Sequence, residues 1–290
     1  MFRMPLEAFT SDESFPFFIQ FGGHNEPLFL HGHDDYSELV IVLSGTAQHI
    51  VGSERYAIGK GDVFVIDTDT EHGYDAPSDF KICNIMFRRS FVDLSKTDIA
   101  QSAGFQALFI LEPRNTQRSG FTSRLHLDGE NFLRIERFIT RIHDEYYGDL
   151  PGKKTLIEAY FLDLVVILSR LYDTHEIREN DGIVKLASAI AYIEKHYFEE
   201  ISIAELSKLS NYSQRHFIRL FKEALGCVPM QYITRLRIEK ACDMLSNTSL
   251  SITEVAFRCG YPDSNYFSKL FRKYIGCSPR SYRDDLTVRR

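Results

Sequence analysis

Residues 250–279, LSITEVAFRCGYPDSNYFSKLFRKYIGCSP, repeat the pattern of residues 201–229, ISIAELSKLSNYSQRHFIRLFKEALGCVP. The offset is 49 as far as Tyr212 and Tyr261, and 50 beyond the single inserted residue, Pro262. Each copy predicts a short helix, a tight turn and a longer helix opened by an N-cap residue, Ser213 or Asp263. Each longer helix stops at a glycine, Gly226 or Gly276, with a proline three residues further on. Phe217, Leu220, Phe221, Ala224 and Leu225 fall at i, i+3, i+4, i+7 and i+8, and Phe267, Leu270, Phe271, Tyr274 and Ile275 take the same places. That spacing predicts one apolar face per helix. Arg215, Arg219 and Lys222 stand on the opposite face of the first helix, and Asn265, Lys269 and Arg272 on that of the second. A solvated amphipathic face would explain one such helix equally well. Two copies of the same polarity make that explanation hard to keep.

A short helix, a turn and a longer helix with basic and amide residues outward is the helix-turn-helix arrangement. Its second helix fits a major groove, where Arg and Lys pair with guanine and Asn or Gln with adenine. Between the copies, VPMQYITRLRIEKACDMLSN reads as one long helix with Ile233, Leu236, Ala241, Met244 and Leu245 inward. About 17 helical residues span about 25 Å, a length on the scale of one DNA turn of about 34 Å.

Residues 183–283 resemble the DNA-binding domain of the AraC/XylS family of bacterial transcription regulators. The second copy carries the family pattern I-x-x-[IV]-A, G-[FY], S-x-Y-F, F-[KR]-K and G-x-S-P-x-x-[YF]-R almost complete. The resemblance implies an all-α domain with two helix-turn-helix units, double-stranded promoter DNA as partner, and usually activation near RNA polymerase. Carried over by position, it assigns base reading to Gln214, Arg215 and Arg219 in the first unit and to Ser264, Asn265 and Lys269 in the second. Lys222 and Arg272 complete the DNA-facing sets. Ser210 and Asn211 stand where the first turn often has glycine, and Asn tolerates positive φ.

The remainder of the 290 residues is ordinary globular material, 44% hydrophobic and 26% charged, which allows two domains. The net charge of −6 is unevenly spread: residues 1–182 carry 17 Lys+Arg against 29 Asp+Glu, residues 183–290 carry 17 against 11. An acidic front and a basic rear suggest different partners, the rear one polyanionic. No apolar run reaches the roughly 18 residues of a membrane span. The N-terminal MFRMPLEAFTSDES has no signal-peptide pattern. Five scattered cysteines with no CxxC pair argue against a disulfide framework or a thiolate zinc site and fit a reducing cytoplasm.

From Phe17 to about Arg88 short segments, FFIQF, ELVIVL, TAQHIV, RYAI, DVFVI and FKICNIMF, recur at about ten-residue spacing and predict a small β sandwich or barrel. From about Gly129 the period becomes helical. Phe132, Ile135, Phe138, Ile139 and Ile142 make one stripe, and Leu156, Tyr160, Phe161, Leu164, Val165 and Leu168 another, with Asp149–Gly152 breaking between them. The expected organisation is a multidomain α+β protein. A β domain occupies 1–128, a helical hairpin 129–172, a linker 173–182, and the helix-turn-helix domain 183–290.

Within LHGHDDYSELVIVLSG, His31 and His33 lie two apart and so share a face of a strand; Glu38 follows, then Gly45, and His72 comes after a further strand. This spacing resembles the cupin pattern, H-x-H-x(3,4)-E-x(6)-G with a later H, over about residues 15–90. Three readings stand open: these four side chains line a small-molecule effector pocket, hold a divalent metal, or are structural. Their order of preference is pocket, metal, structure. The stretches HGHDDYSELVIVLSG, GDVFVIDTDTEHGY and NIMF are most similar to sugar-utilisation regulators of the rhamnose type, which implies a sugar effector. In that family a helix at the place of the hairpin pairs two subunits, which implies a homodimer.

The expected function is a cytoplasmic, effector-responsive DNA-binding regulator that activates carbohydrate genes, is no enzyme and requires no cofactor. The rival is a metal-dependent cupin enzyme with an appended helical domain. No nucleophile–base pair, P-loop or Gly-rich dinucleotide turn supports another enzyme class.

Overall fold

Side chains alternate across a strand, and in the front half that period sorts residues between an interior and an outer face. The computed structural model describes residues 2–68, 70–115, 125–174 and 182–288. β1 (Arg3–Met4), β2 (Phe17–His24), β3 (Leu28–His33), β4 (Ser37–Val51), β5 (Glu54–Gly59), β6 (Asp62–Ile66), β7 (His72–Phe87) and β8 (Leu125–His126) share one hydrogen-bonded system. Its order is β1-β3-β7-β4-β6-β8, with β2 also on β7 and β5 also on β4. β4 and β7 act as corners. The first half of β4 pairs with β6 and its second half with β5, while β7 meets β3 near its start and β2 over Phe80–Phe87. Between the two layers lie Val40, Val42, Ala47, Ile58, Phe64, Ile66, Tyr74, Phe80 and Ile82, all buried.

ELVIVL and TAQHIV, expected as two strands, are one strand. The pairing of β4 with β7 slips repeatedly between Val42 and Gln48, and such bulges bend a strand without ending it. Gly45 sits in the bend with φ +70, where an added Cβ would lie 2.2 Å from the Ser78 carbonyl oxygen. Ser44 Oγ donates to the Asp79 carbonyl at 3.0 Å across the same bend. The chain changes sheets there instead of reversing.

Residues 98–115 are helical in short pieces, including α1 (Ala103–Phe105), a π turn (Gln106–Leu111) and α2 (Glu112–Asn115). α3 (Gly129–Tyr147) is capped by Asp128, whose carboxylate accepts from the Asn131 N–H, and α4 (Lys153–Thr174) follows as the second arm of the hairpin. Phe161 of α4 packs against Phe17, Phe87 and Phe91, which fixes the hairpin on the outer face of the β2–β7 layer. Phe132, Ile135, Ile139 and Ile142 are buried as expected. Leu156 is not; Ile157 takes the core position in its place.

α4 reaches Thr174 and α5 (Gly182–His196) starts at Gly182, so of the expected linker only 175–181 remains, and those residues lie outside the described ones. The chain forms two compact units, Met1–Ala187 and Ser188–Arg290, which divide within α5. The rear unit continues with α6 (Ile203–Leu209), α7 (Gln214–Leu225), α8 (Pro229–Asn247), α9 (Ile252–Arg258), α10 (Ser264–Ile275) and α11 (Pro279–Val288). Ser202 and Ser251 open α6 and α9 with reciprocal capping boxes to Glu205 and Glu254. Ser213 and Asp263 cap α7 and α10, and Gly226 and Gly276 end them in the left-handed conformation. Every expected cap and stop of the repeat is in place. Phe217, Phe221, Phe267 and Phe271 are fully buried, but Tyr274 and Ile275 are exposed. They occupy the last turn of α10, past the cluster that Val255, Cys259, Phe267 and Phe271 form with α8. Among the described residues no helix is long and apolar enough to cross a membrane.

Candidate effector site and DNA-binding face

The barrel gathers the four sequence-identified residues. Glu38 shares the inward phase of Val40 and Val42 on β4, His31 and His33 come from β3, and His72 opens β7 opposite His31. All four are at most 4% exposed. His33 Nε2 lies 3.2 Å from His72 Nε2, and Glu38 Oε2 is 3.4 Å from the first and 3.5 Å from the second. His31, His33 and His72 each present a ring nitrogen within 4.8 Å of the others. The His31 Nδ1 faces the Phe29 carbonyl oxygen at 3.1 Å, which leaves its Nε2 for the interior.

Burial controls the charge of this cluster. It drives the His33 imidazole down to about 3, with His31 and Arg3 adding to the effect, and pushes His72 far below the ordinary histidine range. It also pushes the Glu38 carboxyl up to about 8. At neutral pH the His33–Glu38 and His72–Glu38 contacts are therefore between uncharged groups, not ion pairs. Tyr36 Oη, Tyr74 Oη, His33 Nδ1, His72 Nδ1 and Glu38 Oε2 are buried without a hydrogen-bond partner among the described residues. Buried polar atoms are nearly always bonded, so five in one nest point to a polar occupant.

The donor set also suits a metal. A tetrahedron with bonds of about 2.1 Å has edges of about 3.4 Å, and the His33–His72–Glu38 triangle has edges of 3.2, 3.4 and 3.5 Å.

Three residues of the nest escaped the sequence reading. His49 is 3% exposed, with its ring stacked on Phe64 and 5.8 Å from that of His72. Its signal was available in TAQHIV, where Ala47, His49 and Val51 alternate inward. Tyr36 stacks on His33 at 4.3 Å, and Tyr74 lies two residues from His72 on the same face.

In the rear unit Gln214, Arg215, Arg219 and Lys222 are all exposed on α7, and Asn265, Lys269 and Arg272 on α10; Ser264 is half-buried. Arg219 is held within its own helix, 3.2 Å from His216 Nδ1 and 3.9 Å from Glu223. Tyr266, the tyrosine of the S-x-Y-F pattern, is 57% exposed beside Asn265. Asn211 adopts φ +52 in the first turn, as an asparagine there can, and Gly260 takes φ +79 in the second.

Known proteins resemble this chain in both of its halves. A helix-turn-helix domain model matches residues 206–285, and a cupin domain model matches residues 18–86. The HTH-type transcriptional activator RhaS of Escherichia fergusonii is 31% identical over 251 residues, 87% of this chain and 86% of that protein. The chain belongs to the AraC/XylS family of transcription regulators. Another relative in the family, the HTH-type transcriptional activator RhaR of Mannheimia succiniciproducens, is 28% identical over 95% of this chain and 94% of its own length. The DNA-binding domain of the global transcriptional factor AdpA, solved with a target DNA, is 31% identical over 37% of this chain, with a TM-score of 0.36. Both halves of the chain thus have the architecture that the sequence resemblance implied: a cupin front followed by a helical DNA-binding domain.

Proposed function

We propose that the protein is a cytoplasmic activator of carbohydrate-utilisation genes, with α7 and α10 reading two DNA elements about one helical turn apart. A small polyhydroxylated effector, a sugar of the rhamnose type, occupies the nest of His31, His33, Glu38 and His72. The observation that carries the reading is the duplicated helix, with basic and amide residues outward in both copies, on a chain whose barrel interior holds unpartnered polar atoms. The names of the relatives, transcriptional activators RhaS and RhaR, support the class. For the effector to act it must bind two arrangements of the protein with different affinity. The protein acts as a homodimer through the α3–α4 hairpin, recruits RNA polymerase, and catalyses no reaction.

A second reading is favoured by the triangle of donor atoms. A divalent ion held by His31, His33, His72 and Glu38 would supply a Lewis-acidic centre to which an effector hydroxyl can bind.

The test is a randomised-site binding selection on wild type, Arg219→Ala and Lys269→Ala at two salt concentrations. If these side chains read bases, each substitution weakens binding by about 1–3 kcal/mol and relaxes preference in one element only. If they contact phosphates, all sequences weaken alike and the salt slope falls by about one unit. Identical preferences in all three proteins sink the base-reading roles, and no duplex binding at low salt sinks the regulator reading.

A further inference from the structure

Arg237, in the middle of α8, donates to three backbone carbonyls, two in the segment that precedes the first helix-turn-helix unit and one in the turn of the second. Its Nε donates to the Tyr197 oxygen and its Nη2 to the Glu199 oxygen, both at 2.6 Å. These carbonyls lie in the turn between α5 and α6 that leads into the first unit. Its Nη1 donates to the Gly260 oxygen at 3.2 Å, in the turn between α9 and α10 of the second unit. The guanidinium also lies 5.3 Å from the Tyr261 ring centre, on the same turn. A guanidinium carries its donors in one plane at fixed angles, so groups bound to it together are held in fixed relative positions. An ammonium on a flexible stem imposes no such geometry.

The two turns differ in what lies against them. Asn211 keeps a side chain at φ +52, so a left-handed residue in this turn does not require glycine. Gly260 does: an added Cβ would stand 2.6 Å from the Phe198 backbone carbonyl oxygen, with Cζ and Nη2 of Arg237 next at 3.0 Å. The second turn is bare where the guanidinium lies against it.

We infer that Arg237 is a positioning residue that sets the separation and orientation of α7 and α10, and through them the spacing of the two DNA elements the protein accepts. This rests on the two-element reading above. The experiment uses the full chain and the duplex selected by wild type, in a series with base pairs added or removed one at a time between the elements. Single-element duplexes serve as the reference. Arg237→Lys and Gly260→Asn should each lose about tenfold in affinity for the wild-type spacing, because looser units have a lower effective concentration for the second contact. Their single-element affinity should be unchanged, and their preference among spacings should flatten. A folded variant with the wild-type spacing preference, or with an equal loss on single-element DNA, overturns the role. So does failure of both variants to fold by circular dichroism, which would make Arg237 a stability residue. A wild type indifferent to spacing removes the two-element reading itself.

Discussion

Glu38 of the front unit and Glu194 of the rear unit are both buried glutamates, and they are buried on different terms. Glu194, on α5, accepts a hydrogen bond from Tyr232 of α8 at 2.7 Å and braces two helices. Glu38 lies 3.4 and 3.5 Å from the imidazole nitrogens of His33 and His72, and its Oε2 has no hydrogen-bond partner among the described residues. Burial raises both carboxyls above the ordinary range, Glu38 to about 8. The rear unit closes its buried polar pair with its own side chains, whereas the front nest leaves buried polar atoms without a partner among the described residues. A buried carboxyl is therefore read by its partners rather than by its depth.

The strongest break to this comparison is His33→Ala. If the nest takes an effector, screening mono- and disaccharides by thermal shift should give a hit with wild type and none with the variant, while DNA binding by the variant persists. A ligand bound only by the folded state raises the melting temperature, so loss of the site loses the whole shift. An unchanged shift in the variant removes the pocket assignment. Loss of a stoichiometric metal from the same variant moves the assignment to the metal reading.

Next comes Tyr232→Phe, which keeps the ring against Phe221 and removes the donor to Glu194. It should destabilise the protein by about 1–3 kcal/mol, the range for a buried acceptor left unsatisfied. Denaturant melts with no loss would mean that Glu194 finds another partner, and the contrast with Glu38 would fade.

The smallest effect is a slope. Between pH 6.5 and about 8 an unfolded glutamate has lost its proton while folded Glu38 keeps it. Stability should therefore fall as pH rises, by up to about 1.4 kcal/mol per unit. His33, held low, adds an opposite slope only below 6.5, where the unfolded imidazole gains its proton. Glu38→Gln should flatten the decline between pH 6.5 and 8. Parallel stability curves for the two proteins would show Glu38 ionised in the folded state and reverse the electrostatic account of the nest.

The rear unit was more legible than the front because its signals are local. Caps, glycine stops and helical spacing act within a few residues, and duplication displayed each of them twice. Only the last turn of α10 misled, since periodicity does not say where a packing partner ends. In the front unit the strand segments were visible but their continuity was not. Whether Ser44-Gly45 reverses the chain or bends it depends on Ser78 and Asp79, more than thirty residues away. His31, His33, Glu38 and His72 stood out through spacing along the sequence. Tyr36 and Tyr74, though close in sequence to His33 and His72, carry no such spacing pattern. His49 was legible only as one more inward position of the TAQHIV alternation, because what joins it to the nest is proximity across strands. Arg237 was invisible for the same reason: all three of its acceptors are backbone atoms of distant turns.

The punctuation of α7 and α10 has a further consequence for how such a protein changes over generations. Each helix is started by Ser213 or Asp263, stopped by Gly226 or Gly276, and anchored by two buried phenylalanines. None of those residues is among the exposed ones at 214, 215, 219 and 222, or at 265, 269 and 272. If the exposed positions read bases as proposed, the fold and the DNA address are specified by separate residues of each of these segments. Surface substitutions away from caps and cores usually change stability by no more than about 0.5 kcal/mol. On that reading the address could drift, or be rewritten at the bench, one half-site at a time, while the scaffold that carries it stays where it is.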